Sequence, residues 1–378
     1  MVKINTLPPG RRPRILVAPL DWGLGHATRC IPVINTLLEL QAEVWLAGEG
    51  AQAALLKKEF PGLPLLHLQG YRVRYGRSAR GLLRNMFFQV PRLLRAIRQE
   101  HRWLQAAVQE HAFDAVISDN RFGLYHPGIP TVFITHQLTI KSPLGKWAER
   151  VLQRSNYRYI NRFSECWVPD EPGNGNLAGQ LSHPQRMPAI PVYYTGILSR
   201  LKKTGSTAQA NHLFISLSGP EPQRSILENR VVADIARYSG TAVIARGLPG
   251  SSTLIPSTND IRFYNHLPAE AYNQEIEQAG YVIARSGYST VMDLAALGKK
   301  AILVPTPGQT EQEYLAAYLQ QQGFSCYLSQ QQFSLQAVLQ KARQFHYQES
   351  RPASPALPQV IRRFLRQWQA DAQPPDLG

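Results

Sequence analysis

Cysteine is scarce in this sequence: its 378 residues include only Cys30, Cys166 and Cys326. These three are far apart, odd in number and without the spacing of zinc ligands, so the sequence predicts neither a disulfide framework nor a structural zinc site. Long apolar runs are missing too, and the short polar lead before the first predicted strand does not resemble a signal peptide. We therefore expect a cytoplasmic protein that is soluble or peripheral to a membrane.

Acidic residues are also in deficit, with 26 against 41 lysines and arginines and a net charge of +15. The excess is concentrated in residues 71–102 and 141–163. The first segment contains a single acidic residue, Glu100. Its basic residues are Arg72, Arg74, Arg77, Arg80, Arg84, Arg92, Arg95, Arg98 and Arg102. The second carries Lys146, Arg150, Arg154, Arg158 and Arg162, one every four residues. Like charges at this spacing weaken a helix by about 0.2–0.5 kcal/mol per pair, a cost that an external anion would offset.

An anionic membrane surface is the partner that these segments favour, because basic amphipathic helices bind such surfaces. Nucleic acid is the competing partner, but no recognised binding module or aromatic platform accompanies the charges, so we expect no nucleic acid. The remaining interpretation is a pair of solvated helix faces above core-facing apolar stripes. Within the first segment, Pro91 predicts a kink or a division of the helix.

Strands and helices alternate in two cycles along the chain, which predicts an α/β protein with parallel sheets. The first cycle begins with a strand at 15–20 and the second with a strand at 213–217. We expect an N-terminal domain over residues 1–196 and a C-terminal domain over 197–352. The final segment, 353–378, should contain a helix that packs back on the N-terminal domain.

A histidine follows the first predicted strand in the turn DWGLGH, where Gly23 and Gly25 permit close approach of the backbone to a ligand. His26 should project from the carboxyl edge of the sheet, where open α/β sheets bind ligands. A later strand ends at Asp119 on the same edge, so this carboxylate could orient His26 as a proton acceptor. His136 follows another strand there. The alternatives are a capping role for His26, a turn role for Asp119 and simple strand termination at His136.

The second cycle contains the segment YVIARSGYSTVMDLA, a strand that stops at a glycine turn before a helix. Its polar and turn residues are Arg285, Ser286, Gly287, Ser289, Thr290 and Asp293. A helix N-terminus after such a turn suits a diphosphate, and a carboxylate one turn later suits a ribose hydroxyl pair. The alternative is an ordinary β–α turn capped by Ser289.

Further turns in the same cycle extend this candidate nucleotide site. Ser218 and Gly219 end one strand before a helix, and Arg246 ends the next. The sequence contains no Asp-x-Asp pair, the usual device for holding a divalent ion against a diphosphate. We therefore expect no metal and no cofactor beyond a nucleotide-sugar co-substrate, with backbone N–H groups, helix dipoles and arginine stabilising the leaving group.

These motifs resemble glycosyltransferases of the GT-B fold, most closely the MurG-like branch, which transfers N-acetylglucosamine from UDP to a lipid-linked acceptor at the cytoplasmic membrane face. RSGYSTVMDLAALGKKAILVP resembles the donor motif of that branch, GLGH its N-terminal glycine loop, and Thr195–Gly196 its interdomain TG. The resemblance implies two Rossmann-like domains facing across a cleft. The donor nucleotide binds the C-terminal domain and the acceptor the N-terminal one, possibly at the inner face of the plasma membrane.

The resemblance also implies roles for individual residues. Asp293 takes the ribose position, Ser286 and Gly287 lie beside the α-phosphate, and Ser218–Gly219 lie near the β-phosphate. The backbone around His266–Leu267 faces the uracil, and Gln312 and Glu313 face the sugar hydroxyls. The full expected donor-binding set is Ser218, Gly219, Arg246, His266, Leu267, Arg285, Ser286, Gly287, Ser289, Thr290, Asp293, Gln309, Gln312 and Glu313; the acceptor side comprises Gly23, Gly25 and His136. UDP-dependent glycosyltransferases of small molecules share the GH motif, which implies a His26–Asp119 base dyad.

Departures from the MurG-like pattern predict a retained donor half and a changed acceptor chemistry. Asp293 stands for the usual glutamate, Glu313 for a glutamine, and the His-Glu-Gln-Asn acceptor segment survives only as HQLT from His136. We expect an inverting, metal-independent enzyme that uses a nucleotide sugar, with UDP as its nucleotide, and a lipid-linked or small-molecule acceptor. The alternatives are a nucleotide-sugar hydrolase of the same fold and a non-catalytic lipid- or nucleic-acid-binding protein.

Overall fold

Apolar runs without polar alternation form the centre of a seven-stranded parallel sheet in the first half of the chain, ordered β3-β2-β1-β4-β5-β6-β7. The computed structural model describes residues 11–72, 79–348 and 356–368, and for 79–89 it describes the backbone only. The strands are β1 (Arg14–Pro19), β2 (Glu43–Gly48), β3 (Leu65–His67), β4 (Ala115–Asp119), β5 (Thr131–Ile134), β6 (Glu165–Val168) and β7 (Val192–Tyr194). Register pairs Pro19 with Asp119 and Asp119 with Ile134, so these three strands end in one row.

Helices cover both faces of this sheet, as the alternation predicted. They are α1 (Leu24–Glu39), α2 (Gly50–Glu59), α3 (Ala79–His111) and α4 (Lys146–Ile160). Helix α3 runs without a break across Pro91, so the predicted division of this helix is wrong. Arg74 and Arg77, at the start of the first basic segment, lie outside the described residues.

The second half repeats the design with a six-stranded parallel sheet in the order β10-β9-β8-β11-β12-β13. Its strands are β8 (Gln209–Ser216), β9 (Thr241–Ala245), β10 (Ile261–Tyr264), β11 (Ala279–Ala284), β12 (Ala301–Leu303) and β13 (Ser325–Tyr327). Its helices are α5 (Gln223–Ile235), α6 (Ala269–Gln278), α7 (Tyr288–Leu297), α8 (Thr310–Gln321) and α9 (Leu335–Gln344). Strand order reverses beside β8, and such reversal points form the ligand crevice of doubly wound sheets.

The last described helix, α10 (Ala356–Leu365), returns to the first sheet. Phe364 packs edge-on against Trp167 with ring centroids 5.5 Å apart, and Arg363 forms an ion pair of 2.6 Å with Glu165. The two-domain α/β fold with a returning C-terminal helix is therefore confirmed. The first sheet ends at Tyr194 and the second begins at Gln209, while the domain limits given above stay predictions.

Candidate active site

The predicted histidine and carboxylate meet at the carboxyl edge of the first sheet. Between β1 and α1 the backbone turns at Gly23, whose φ of 74° lies in the left-handed region that favours glycine. This turn sets His26 in the first turn of α1, with its Nδ1 atom 3.1 Å from Oδ1 of Asp119. Asp119 is the last residue of β4 and is fully buried. The geometry of a base dyad is therefore present.

A third residue, Arg29, completes this cluster, and the sequence prediction did not include it. It lies one turn after His26 on α1, is 2% exposed, and donates from Nε to Asp119 Oδ2 at 2.6 Å. Its Nη2 atom donates to Oδ1 of the same carboxylate, so the guanidinium grips both oxygens. The i, i+3 spacing from His26 was the available signal, because residues at that spacing share a helix face.

Burial and the Arg29 charge together lower the pKa of His26 below its ordinary value, although Asp119 acts in the opposite direction. Burial alone would raise the pKa of Asp119, but the Arg29 charge, helped by His26, holds it well below the usual range. At neutral pH the cluster therefore contains an ionised Asp119 and a neutral His26, the state that a general base needs.

The proton position on His26 depends on two neighbours of its Nδ1 atom. Asp119 Oδ1 is an acceptor at 3.1 Å, while Arg29 Nη2 is a donor at 2.8 Å. The tautomer that donates from Nδ1 to Asp119 leaves Nε2 with a free lone pair, as base catalysis requires. An N–H donated by Arg29 to Nδ1 would favour the other tautomer, with the proton on Nε2. Arg29 and Asp119 therefore favour opposite tautomers of His26, and base catalysis uses the one that Asp119 stabilises.

His136 connects this cluster to the second domain. Its Nδ1 atom lies 3.3 Å from Arg29 Nη1, and its Nε2 atom lies 2.8 Å from Oε1 of Glu311 in the first turn of α8. The His136 ring stacks on Tyr288 of α7, with centroids 4.2 Å apart and planes 13° apart. His136, predicted on the acceptor side, thus forms a contact between the two domains. Its partner Glu311 was not predicted, because the sequence resemblance implied the neighbouring residues Gln312 and Glu313 instead.

The glycine turn itself touches the second domain as well. Ser289 donates from Oγ to the carbonyl oxygen of Gly25 at 3.1 Å, and a Cβ at Gly25 would lie 2.6 Å from that hydroxyl. Glycine at this position therefore permits the close approach of α1 and α7. Helix α7 begins at Tyr288 after Gly287 without a side-chain cap, so the alternative of a turn capped by Ser289 is wrong.

Hydrogen bonds link the predicted donor loops into one framework. The buried Ser286 hydroxyl donates to the backbone oxygen of Gln312 at 2.8 Å. Gln312 accepts from the Thr306 backbone N–H through Oε1 at 2.9 Å and donates from Nε2 to Gln309 at 2.6 Å. These bonds hold together three residues of the predicted sugar-donor site, Ser286, Gln309 and Gln312, and their neighbour Thr306, where α7 and α8 begin.

Two arginines predicted to bind the sugar donor, Arg285 and Arg246, form hydrogen bonds and an ion pair with neighbouring protein groups at the carboxyl edge of the second sheet. Arg285 is 1% exposed and donates to Gln223 O at 2.8 Å and to Gln330 Oε1 at 2.6 Å, and burial lowers its pKa to about 10. Arg246 pairs with Glu228 at 2.6 Å. These contacts are with protein groups, so direct contact of either cation with a nucleotide stays a prediction.

The remaining predicted donor residues differ in accessibility. Ser218, Gly219 and His266 are exposed, Leu267 is buried, and Gly287 and Thr290 are half-buried. Glu313 accepts a hydrogen bond from the backbone of Gly308 at 2.9 Å. The hydroxyl of Ser199 donates to Asp293 at 2.5 Å, and burial raises the pKa of Asp293 to about 6. Asp293 lies in the middle of α7 and contacts Ser199, which belongs to the segment between β7 and β8, and its ribose role stays a prediction.

A buried hydroxyl beside these loops has no partner among the described atoms. The Oγ1 atom of Thr306 makes no hydrogen bond within the described part of the chain. A Cβ built on Gly219 would lie 3.4 Å from it, and the φ of Gly219 is +102°. Thr306 follows β12 and Gly219 follows β8. A hydroxyl without a hydrogen-bond partner among the described residues therefore lies at the crevice where these strands end.

No group of three or more histidine, cysteine, aspartate or glutamate side chains is placed to hold a metal ion in residues 11–72, 79–348 and 356–368. Metal independence is a statement about the reaction and stays a prediction. Within the same part of the chain, no helix is long and apolar enough to cross a bilayer.

Comparison with known proteins shows that the chain is similar to glycosyltransferases. Residues 260–361 match the family model of the glycosyltransferase family 28 C-terminal domain. One relative, UDP-N-acetylglucosamine–N-acetylmuramyl-(pentapeptide) pyrophosphoryl-undecaprenol N-acetylglucosamine transferase of Haemophilus ducreyi, is 23% identical over 314 residues, 78% of this chain and 80% of the relative. The protein of the same name from a Methylobacterium species is 35% identical over 100 residues, 26% of this chain and 23% of the relative.

Solved structures show the same fold over nearly the whole chain. The glycosyltransferase of kitacinnamycin superposes with a TM-score of 0.60 at 16% identity, covering 95% of this chain and 96% of that one. The spinosyn rhamnosyltransferase SpnG complexed with thymidine diphosphate superposes with a TM-score of 0.59 at 14% identity, covering 94% and 96%.

Together the family match, the named relatives and the fold support a nucleotide-sugar-dependent glycosyltransferase of the GT-B fold. Within that class the chain is similar to the MurG-like branch in its C-terminal family match and its named relatives. The predicted recognition and the predicted enzyme class are confirmed at this level.

Proposed function

We propose that the protein is an inverting, metal-independent glycosyltransferase that moves a sugar from a nucleotide sugar, with UDP as the expected nucleotide, to an acceptor hydroxyl. The observation that carries this proposal is the contact between His26 and Asp119 beside the interdomain bonds of His136 with Glu311 and of Ser289 with Gly25. A candidate base in one domain thus lies against the donor loops of the other.

The reaction follows from these positions. His26 accepts the acceptor hydroxyl proton at Nε2 while the acceptor oxygen forms a bond to the anomeric carbon, and the bond from that carbon to the diphosphate oxygen breaks. Asp119 stabilises the imidazolium that forms, as the carboxylate of a catalytic triad does. A single displacement inverts the anomeric configuration, and the nucleoside diphosphate leaves with both electrons of the broken bond.

The second domain offers donors for that leaving group. Free N–H groups at the start of α7 and the exposed loop at Ser218 and Gly219 lie on the same sheet edge. The hydroxyl of Thr306 beside Gly219, which has no hydrogen-bond partner among the described residues, supplies a further donor. Preorganised donors of this kind are the main source of electrostatic stabilisation in group transfer.

Nucleotide recognition is tested by a thermal-shift screen of nucleotides and nucleotide sugars, because a ligand that binds only the folded state raises its apparent stability. We expect UDP and UDP-sugars to raise Tm, and Gly219→Val to abolish that rise by filling the space before Thr306. A protein whose Tm no nucleotide raises would contradict the donor site.

Replacing Asp293 by asparagine separates a ribose contact from a structural role. Because burial raises the pKa of Asp293 to about 6, the folded state binds its proton more tightly than the unfolded state. Ionised Asp293 therefore lowers the free energy of unfolding as pH rises from about 4 to 6. Asp293→Asn should raise Tm at pH 7.5 and leave it nearly unchanged at pH 4.

The same variant should weaken UDP binding about tenfold if Asp293 holds the ribose, since a charge-assisted acceptor is lost. Asp260→Asn, at an exposed carboxylate in the same domain, is the matched control and should change neither quantity. Full UDP affinity in Asp293→Asn would assign Asp293 to the linker contact with Ser199 alone.

Glu311 should couple the second domain to the base. Glu311→Ala leaves the buried Nε2–H of His136 without its acceptor, and we expect kcat/KM to fall about 10- to 100-fold. Glu311→Gln keeps an acceptor oxygen and should lose less. Glu270→Ala, at an exposed site on α6, controls for the loss of a glutamate. Wild-type kcat/KM in Glu311→Ala would rule out this coupling.

The acceptor is proposed to be lipid-linked or a small molecule, with the basic segments 71–102 and 141–163 facing an anionic membrane surface. Arg92, Arg95 and Arg98 of the first segment are exposed, as this proposal requires. Neutralising Arg84, Arg95 and Arg98 together should then reduce binding to anionic vesicles, and unchanged binding would remove the first segment from the proposal.

A further inference from the structure

Helix α4 and residues 180–187 enclose a groove of about 950 Å³ in the first domain. Its cationic lining residues are Lys141, Lys146, Arg150, Arg154, Arg158 and Arg186, and Glu149 is the single acidic residue in the lining. A concave surface lined by one sign of charge concentrates ions of the opposite sign. The groove is therefore suited to an anionic ligand.

The cations of this groove are poorly compensated. Glu149 lies 3.6 Å from Lys141, and within the described residues no ion pair forms at Lys146, Arg150, Arg154 or Arg158. These four follow one another at every fourth position of α4, the spacing at which like charges weaken a helix. The fold holds them in place through the opposite face of the helix, where Ala148, Asn156 and Ile160 are buried.

Large apolar side chains are exposed beside the cations, and one of them, Met187, lines the groove. The exposed fractions are 67% for Leu144, 75% for Trp147, 51% for Val151 and 42% for Met187. Trp147 and Val151 are one helical turn apart on α4 and flank the row of cations. Exposed tryptophan and aliphatic residues next to lysine and arginine are typical of helices that lie in the interface of a membrane.

We propose that this groove binds the phosphate headgroup of an anionic membrane lipid, with Leu144, Trp147 and Val151 entering the interfacial layer. The positive charge of the groove favours an anionic headgroup. The exposed apolar residues Leu144, Trp147 and Val151 favour a lipid over a soluble anion, because a lipid also offers them an apolar environment. A nucleic acid backbone would use the cations but would leave Leu144, Val151 and Met187 without an apolar partner. The proposal narrows the membrane contact from two basic segments to one groove.

The groove is also connected to the candidate active site. Gln153 of α4 donates to Thr139 at 3.3 Å, and Asn156 donates to the backbone oxygen of Gln137 at 2.9 Å. The Gln137 side chain in turn donates to Glu311. A lipid bound in the groove therefore lies against the segment that carries His136, on the side from which a lipid-borne acceptor would enter. This last point rests on the proposed sugar transfer, whereas headgroup binding rests only on the proposed membrane contact of segment 141–163.

Vesicle co-sedimentation of the full chain tests the proposal, using phosphatidylcholine vesicles with and without phosphatidylglycerol. We expect binding only to the anionic vesicles. Arg150→Gln combined with Arg154→Gln should weaken it about 30-fold, since each interfacial cation contributes about fivefold. Arg237→Gln combined with Arg343→Gln removes two exposed arginines of the second domain and should leave binding unchanged. Trp147→Ser should weaken binding while preserving the net charge.

Three results would overturn the proposal. Equal loss in the two double variants would mean that diffuse charge, not the groove, attracts the vesicles. Full binding by Trp147→Ser, with inorganic phosphate displacing the protein from vesicles, would make the groove a site for free anions. Tighter binding of an RNA oligonucleotide than of anionic vesicles, lost in Arg150→Gln/Arg154→Gln, would assign it to nucleic acid. Because no assay uses catalysis, failure here is distinct from failure of the glycosyltransferase proposal.

Discussion

His26→Ala should lower kcat for sugar transfer by about 10²- to 10⁴-fold, the contribution of a positioned general base. The affinity for UDP should stay nearly unchanged, because the predicted nucleotide contacts belong to the second domain while His26 belongs to the first. His26→Gln should be as inactive as His26→Ala, since glutamine can accept a hydrogen bond but does not take a proton at neutral pH.

Steady-state kinetics paired with calorimetric titration of UDP measure these two quantities. His126→Ala is the matched control, because His126 is half-buried in the same domain and its side chain bonds only its own turn, at Gly128, in the described structure. That variant should keep wild-type kcat. A His26→Ala enzyme with wild-type kcat would remove His26 as the base.

Arg29→Gln should move the acid limb of the pH profile of kcat/KM to higher pH. In the wild type this limb should lie below about pH 6.5, because burial and the Arg29 charge lower the pKa of His26. Without that cation, Asp119 favours protonation of His26, so less of the neutral base remains at pH 7. The variant should also be less stable by several kcal/mol, since Asp119 keeps a buried charge with one partner fewer.

Two companion variants separate the electrostatic effect from the structural one. Arg29→Lys keeps the positive charge and should keep the acid limb near its wild-type position, although lysine cannot form the bidentate hydrogen bonds that Arg29 forms with Asp119. Arg29→Gln combined with Asp119→Asn removes both charges and should regain part of the lost stability. An acid limb that does not move in Arg29→Gln would show that Arg29 has a packing role alone.

The parts of the site that lie at strand ends could be predicted from the sequence. Parallel strands end on a common edge, so His26 after β1, Asp119 at the end of β4 and His136 after β5 were expected together. Predicting that these three residues lie close together required only the positions of the strands, and continuous apolar runs in the sequence reveal those positions. The short strands β3, β6, β7 and β13 were not predicted, because three or four mixed residues carry little periodic signal. Helix α9, which has ten residues, was not predicted either.

Partners that depend on side-chain direction were not predictable. Arg29 was not considered because its i, i+3 spacing from His26 shows only a shared helix face, and not whether its side chain points outward or onto a buried carboxylate. Glu311 was passed over for Gln312 and Glu313, since the reach of Glu311 to His136 exists only when the two domains meet. For Arg285 the position beside the glycine turn predicts a ligand contact, and the sequence did not show that its side chain bonds backbone carbonyls of neighbouring loops.

The central claim is sugar transfer from a nucleotide sugar at the contact between the two domains. NMR of a UDP-sugar incubated with the enzyme, with and without a membrane lipid extract as the source of acceptor, tests it most directly. We predict UDP release that depends on the extract, a product whose anomeric configuration is inverted relative to the donor, and neither signal with His26→Ala. Equally rapid release of free sugar and UDP without any acceptor would contradict the account and identify a hydrolase.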